Sequence, residues 1–129
     1  PFYKNEQEEP YVHMNGQETF KYAVSNMTAD IKKVLEKAGY GIDDVRYVVP
    51  HQANMRIIEA VAKRLDLPMD NVMVNIEHFG NTSAATIPLA LWENESKLKK
   101  GDNLIFTAFG AGFVHGASYY KWAYDGSQV

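Results

Sequence analysis

Between residues 17 and 38 the apolar side chains fall at Phe20, Ala23, Val24, Met27, Ile31, Val34, Leu35 and Ala38. Steps of three and four place them on one stripe of an amphipathic helix, and Gly39 and Gly41 end it. The pattern then changes. The run VRYVV (45–49) is short, β-branched and nearly continuous in apolar character, which predicts a strand buried on both faces. Pro50 closes it. His51, Gln52, Ala53 and Asn54 follow, and then Met55, Ile57, Ile58 and Val61 resume a helical spacing. This predicts a helix over 52–65, ended by Asp66, Leu67 and Pro68. Residues 72–74 read as a short strand, and so does YVHM (11–14), which the turn pair Asn15-Gly16 closes. Thr82 and Ser83 are good N-cap types, and a helix follows them to about Leu98, with Pro88 near its start. Residues 103–109 and 113–123 read as strands joined by Gly110, Ala111 and Gly112 in a β-hairpin.

The order is therefore β-α-β-α-β-α-β-β. Strands separated by helices pair in parallel through crossovers, with helices covering the faces. The expected class is α/β: a mixed, mostly parallel five-stranded sheet with helices on both faces and an antiparallel pair at its edge. A length of 129 residues suits one domain. A net charge of -3 leaves no footprint of nucleic-acid binding. No apolar run approaches the roughly 18 residues of a membrane span. Cysteine is absent, which excludes disulfides, thiolate metal sites and a cysteine nucleophile within the chain and fits the cytoplasm. Residues 1–10, polar, charged and bounded by proline, read as a linker. The domain then runs over 11–124, with an exposed tail at 125–129.

Chemistry in an open α/β sheet gathers outside the carboxyl ends of the strands. The loops there are 50–54, 78–83 and 109–113. They offer imidazole, amides, hydroxyls and a glycine-rich backbone, but no paired carboxylates. An imidazole and a primary amide aimed at one point can both donate to an oxygen on which negative charge develops. The residues alone thus describe a site for carbonyl chemistry whose nucleophile is missing. Each feature also has a structural reading. A strand-end histidine can be a packing residue, Asn81 a turn residue, the Gly110–Gly112 triplet a plain hairpin turn, and Lys63 and Arg64 solvated surface. His13, His78 and His115 lack metal-ligand spacing. Ser83, in GNTSA, is not in the G-x-S-x-G elbow of serine hydrolases.

Taken together and in order, HQANMRI (51–57), GNTSAATIPLAL (80–91) and FGAGFVHGA (109–117) resemble the C-terminal half of 3-oxoacyl-[acyl-carrier-protein] synthase III. HMNGQETFKYAV (13–24) fits the same family, so the resemblance covers nearly the whole chain. It implies a thiolase fold of two similar α/β halves, of which this chain is the second. The first half would carry the nucleophilic cysteine. The implied reaction joins an acyl-CoA primer to malonyl-acyl carrier protein with loss of carbon dioxide, and it needs no cofactor beyond these substrates. By the same resemblance His51 and Asn81 are catalytic, binding the malonyl thioester oxygen as the enolate forms. The Ala111 N–H helps to hold the acyl oxyanion. Gly16, Phe20 and Asn54 line the channel for the pantetheine arm of coenzyme A. Arg56, Lys63 and Arg64 dock the acidic carrier protein.

The resemblance further implies a homodimeric parent and a large apolar face that an isolated second half would expose. Two positions depart from the family pattern. His115 stands where many members have tryptophan, and Ala111 where many have glycine. Other readings keep the fold: a related condensing enzyme of secondary metabolism, or a stand-alone module that binds a carrier protein.

Overall fold

The computed structural model describes residues 14–129. Helix α1 (Gly16–Ala38) opens on Asn15, whose side chain accepts from the Glu18 N–H, and closes on Gly39 in the left-handed region at φ 79°. Its apolar stripe is buried as expected at Ala23, Val24, Met27, Ile31 and Leu35. The chain continues through β1 (Tyr47–Pro50), α2 (Met55–Arg64), the single turn α3 (Ile76–Phe79), α4 (Thr86–Asn94), β2 (Asn103–Gly110) and β3 (Val114–Lys121). Strand β1 pairs in parallel with β2, from Tyr47 opposite Leu104 to Pro50 opposite Thr107. Strand β2 pairs antiparallel with β3, from Asn103 opposite Lys121 to Gly110 opposite Val114.

Alternation along these strands divides the core in two. Val48 and Ile105 pack with α1 and α2. Tyr47, Val49 and Leu104 face the other way and pack with Met73, Ala90 of α4 and Leu98. Helices therefore lie on both faces of a mixed sheet, which is the expected class.

The strand count differs from expectation. The sheet has three strands among the described residues, not five. Of the segment 11–14, residues 11–13 lie outside the described residues, and Met14 is exposed and not in a strand. Residues 72–74 contribute one parallel bridge, Val48 to Val72, supported by the Met73 N–H on the Val48 carbonyl at 2.9 Å. It goes no further because the next rung would need an N–H from Pro50, which has none; the Gln52 side chain takes the backbone groups left over. Its Nε2 donates to the Met73 carbonyl at 3.1 Å, and its Oε1 accepts from the Asn75 N–H at 3.0 Å. The sheet is consequently one parallel and one antiparallel pair, rather than mostly parallel.

Other boundaries shift for local reasons. Helix α2 begins at Met55 instead of 52, because Asn54 caps it from an extended conformation while Gln52 turns inward. The helix expected from 82 to 98 is a 3₁₀ turn (Ser83–Ala85), then α4, then a second 3₁₀ turn (Glu95–Lys97). Residues 127–129 are exposed, but the end of the chain is anchored. Asp125 caps a turn at Gly126–Gln128, Gly126 is buried, and its N–H donates to the Leu98 carbonyl at 2.9 Å. No helix among the described residues is long and apolar enough to cross a membrane.

Candidate active site

His51 follows the last residue of β1, and its backbone N–H donates to the Thr107 carbonyl at 2.8 Å, extending the β1–β2 pairing by one residue. The imidazole therefore stands on the rigid end of the sheet. The ring is half-buried. Its Nδ1 lies 2.6 Å from Oγ1 of Thr86, the first residue of α4, and the Phe109 ring meets it edge to face with 6.2 Å between centres. Burial lowers the His51 pKa from its ordinary value, which favours the neutral ring.

Gln52, fully buried, explains the next polar position. Its amide reaches four backbone groups: Nε2 donates to the carbonyls of Pro50 and Met73, and Oε1 accepts from the N–H groups of Asn75 and Ile76. A buried amide satisfied on both sides is a rigid cross-link. It ties the loop bearing His51 to the segment that leads through α3 into the loop bearing Asn81. The sequence placed Gln52 at the start of the helix expected over 52–65 and gave it no role. Three of its four partners lie more than twenty residues away in the chain, so no local pattern announces them.

The second loop is shaped by Gly80, at φ 66° and ψ -156°, a conformation essentially confined to glycine. Asn81 then closes a turn on itself, its Oδ1 accepting from the Ser83 N–H at 2.9 Å. With the carbonyl side engaged, the Nδ2 group of this exposed amide is the end left to donate. Ser83 sits in the left-handed region at φ 54°, a conformation that costs a residue other than glycine of order 1–3 kcal/mol. The 3₁₀ turn that follows delivers Thr86 to His51.

The third loop, Ala111 to Phe113, joins β2 to β3, and Ala111 is exposed in it. His115, one of the two departures, faces α1. Its Nδ1 lies 2.5 Å from the Asp30 carboxylate, and the Tyr22 ring packs against it. Tyr22 also stacks on Phe113 at 4.4 Å. The histidine thus fastens the hairpin to α1. An open groove of about 500 Å³ runs beside this turn, between Ile87 of α4 and the hairpin residues Phe106, Ala108, Gly110, Val114 and Gly116.

The remaining predicted residues cluster at two helix starts. Gly16 and Phe20 occupy the first turns of α1, and Asn54 caps α2 with its Oδ1 on the Arg56 N–H at 2.9 Å. The Arg56 guanidinium lies over the Phe20 ring, 5.8 Å from its centre, and joins the two starts. Arg56 and Lys63, seven residues apart, project from one exposed face of α2 with Glu59 between them. Arg64 is partly committed elsewhere, donating to Ser25 Oγ of α1 at 3.1 Å. Among the described residues no cluster of histidine and carboxylate side chains forms a metal site.

The chain as a whole has counterparts among known proteins. The family model for the C terminus of 3-oxoacyl-[acyl-carrier-protein (ACP)] synthase III matches residues 35–122. A beta-ketoacyl-[acyl-carrier-protein] synthase III from Bacteroides thetaiotaomicron is 63% identical over 92% of this chain and 35% of its own. The crystal structure of 3-oxoacyl-[acyl-carrier-protein] synthase III from Aquifex aeolicus superposes with a TM-score of 0.84 at 48% identity, over 87% of this chain and 37% of that one. The priming beta-ketosynthase of the R1128 polyketide biosynthetic pathway gives 0.79 at 32% identity, over 88% and 35%. The chain spans about a third of the length of the curated relatives it matches. It has the thiolase-like fold of these enzymes and belongs to the 3-oxoacyl-[acyl-carrier-protein] synthase III family, to whose C-terminal part it corresponds.

Proposed function

We propose that this chain supplies the decarboxylation site of a condensing enzyme that joins an acyl-CoA primer to malonyl-acyl carrier protein and so initiates fatty acid synthesis. The observation that carries the reading is the pair of donors His51 and Asn81, one imidazole favoured in its neutral form by burial and one amide with its carbonyl side engaged. In this reading both bind the malonyl thioester oxygen. As the C–C bond to the carboxylate breaks, its electron pair moves into the enolate and the two donors stabilise the charge on oxygen. The enolate attacks an acyl group held on a cysteine of the enzyme's N-terminal half, and the Ala111 N–H helps to hold the resulting oxyanion. No cofactor enters, because decarboxylation itself provides the nucleophilic electron pair.

The pantetheine arm runs past Gly16, Phe20 and Asn54. The acidic carrier protein docks on Arg56 and Lys63, with Arg64 contributing at the end of the same helix. Such a contact is steered by charge and weakens with salt. The proposal carries with it a cytoplasmic location and a homodimeric parent. The likeness to a priming ketosynthase of a polyketide pathway favours a second reading, condensation in secondary metabolism, with the same site and a different primer.

The test is to express the chain with a cysteine-bearing first half and measure malonyl-carrier-protein decarboxylation. His51→Ala and Asn81→Ala should each lower it by roughly 10²–10³-fold while transfer of the acyl group from coenzyme A to cysteine persists. Undiminished decarboxylation in either variant removes the proposed role of that residue. The chain without the first half should show no condensation.

A further inference from the structure

Thr86 lies five residues beyond Asn81 in the chain, and the function proposed above gives it no role. It is 1% exposed. Its hydroxyl has one hydrogen-bond partner among the described residues, Nδ1 of His51 at 2.6 Å. Threonine hydroxyls in helices commonly turn back onto a carbonyl one turn earlier, as Thr28 does here on Val24 at 2.7 Å. Thr86, as the first residue of α4, follows a 3₁₀ turn, and its hydroxyl faces the imidazole instead.

Proton accounting across this contact separates two arrangements. A neutral imidazole carries one N–H, on Nδ1 or on Nε2. If Nδ1 holds the proton, the Thr86 oxygen must accept it. The Thr86 hydroxyl proton then has no acceptor at a buried site, which carries a desolvation cost. If Nδ1 is the acceptor, the hydroxyl donates to it and both groups are satisfied. The ring proton then resides on Nε2.

From this contact we infer that Thr86 is a positioning residue that fixes His51 in the Nε2–H tautomer, making its free nitrogen a hydrogen-bond donor and not a base. The inference rests on the proposed role of His51 and sharpens it. A donor at Nε2 suits an oxygen that gains negative charge, whereas the opposite tautomer would present a lone pair to that oxygen and repel it. Thr86 thereby links the loop of Asn81 to the protonation of His51, so one element sets the geometry of one donor and the chemistry of the other.

Two readouts test this, both on the chain expressed with a cysteine-bearing first half. Histidine ¹⁵N spectra at neutral pH should show His51 as a single neutral form with its proton on Nε2. Thr86→Val, which keeps the shape and removes the hydroxyl, should populate both tautomers. It should also lower kcat for malonyl decarboxylation by roughly 10–100-fold, by analogy with the loss of a partner that orients a metal-ligating histidine, with KM little changed. Thr86→Ser should restore the single Nε2–H form and most of the rate. A wild-type proton on Nδ1, or a valine variant with wild-type tautomer and rate, overturns the inference. Should the valine variant not fold, the wild-type spectrum alone decides it. If His51→Ala leaves decarboxylation intact, the functional reading fails, and the tautomer assignment is still judged by the spectrum.

Discussion

His51 and Gln52 are adjacent in the chain and opposite in purpose. The imidazole is half-buried with one nitrogen on Thr86, while the amide of Gln52 is wholly consumed by four backbone groups. Replacing Gln52 with leucine fills the space and strands buried N–H and carbonyl groups, at about 1–3 kcal/mol for each group left unpaired. We expect Gln52→Leu to lower the unfolding free energy by about 3 kcal/mol or more, read by denaturant titration. A loss below that of an average surface substitution would show that the clamp is dispensable. For His51 the pKa lies below the ordinary 6.5 because burial disfavours the charged ring. The unfolded chain therefore binds its proton more readily than the folded one. The stability contributed by the neutral ring is fully present above pH 6.5 and is lost as pH falls through the lower folded value. NMR titration of the His51 ring should give a midpoint below 6.5, and His51→Asn should flatten the dependence of stability on pH over that window. A midpoint at or above the ordinary value would contradict this.

At the scale of elements, chain ends and caps hold more than their lengths suggest. Helix α1 closes on Gly39 at φ 79°, with the cap N–H reaching the carbonyls of Leu35 and Glu36. A side chain there is held in the left-handed region at about 1–2 kcal/mol, so Gly39→Ala should lower stability by that amount in a thermal or denaturant melt without moving the site. The terminal turn is tighter. A Cβ on Gly126 would stand 1.8 Å from the Glu95 carbonyl oxygen. That is a collision with backbone, and Gly126→Ala should undock residues 125–129. Hydrogen exchange should then rise at the Gly126 amide, which in the native turn donates to Leu98. Unchanged protection would mean that the turn has room to shift. The hairpin is held differently, by the His115–Asp30 contact and the Tyr22–Phe113 stack against α1. His115 brings to this contact both a ring for Tyr22 and a nitrogen for the Asp30 carboxylate.

Over the whole molecule, the two faces of the sheet are unequally covered. The face toward α1 and α2 carries a large core, and the face toward α4 a smaller one. Helix α4 is apolar on nearly every side, at Ile87, Leu89, Ala90, Leu91 and Trp92, the signature of a helix enclosed by protein. Yet Trp92 is 67% exposed, and on the hairpin Val114 is 63% and Tyr120 51% exposed. Val114 lines the open groove and Tyr120 packs on Phe106, which lines it too; exposed apolar side chains beside a groove are the kind of surface a partner covers. We expect the chain alone to self-associate with rising concentration and to bind an apolar dye, and a cysteine-bearing first half to suppress both. A clean monomer by sedimentation, with no dye binding, would show that this face needs no partner.

Much of this architecture could be read before any coordinates. The three- and four-residue steps of α1, the β-branched run of β1 and the glycine-broken hairpin each follow from local periodicity, because one element has to bury one face. The candidate residues His51 and Asn81 were legible because HQAN and GNTSAA together resemble the motifs of one family, while position alone marked only His51, at the end of β1. Contacts between distant segments were not legible. The strand expected at 72–74 shrinks to a bridge where Pro50 offers no N–H and Gln52 takes the backbone, the helix expected from 52 starts at 55 where Asn54 caps it, and the last five residues dock through Gly126. The Thr86 hydroxyl on His51 belongs to this second group. Periodicity reports how much a position is buried; which polar atom pairs with which depends on segments that meet only when the chain has folded.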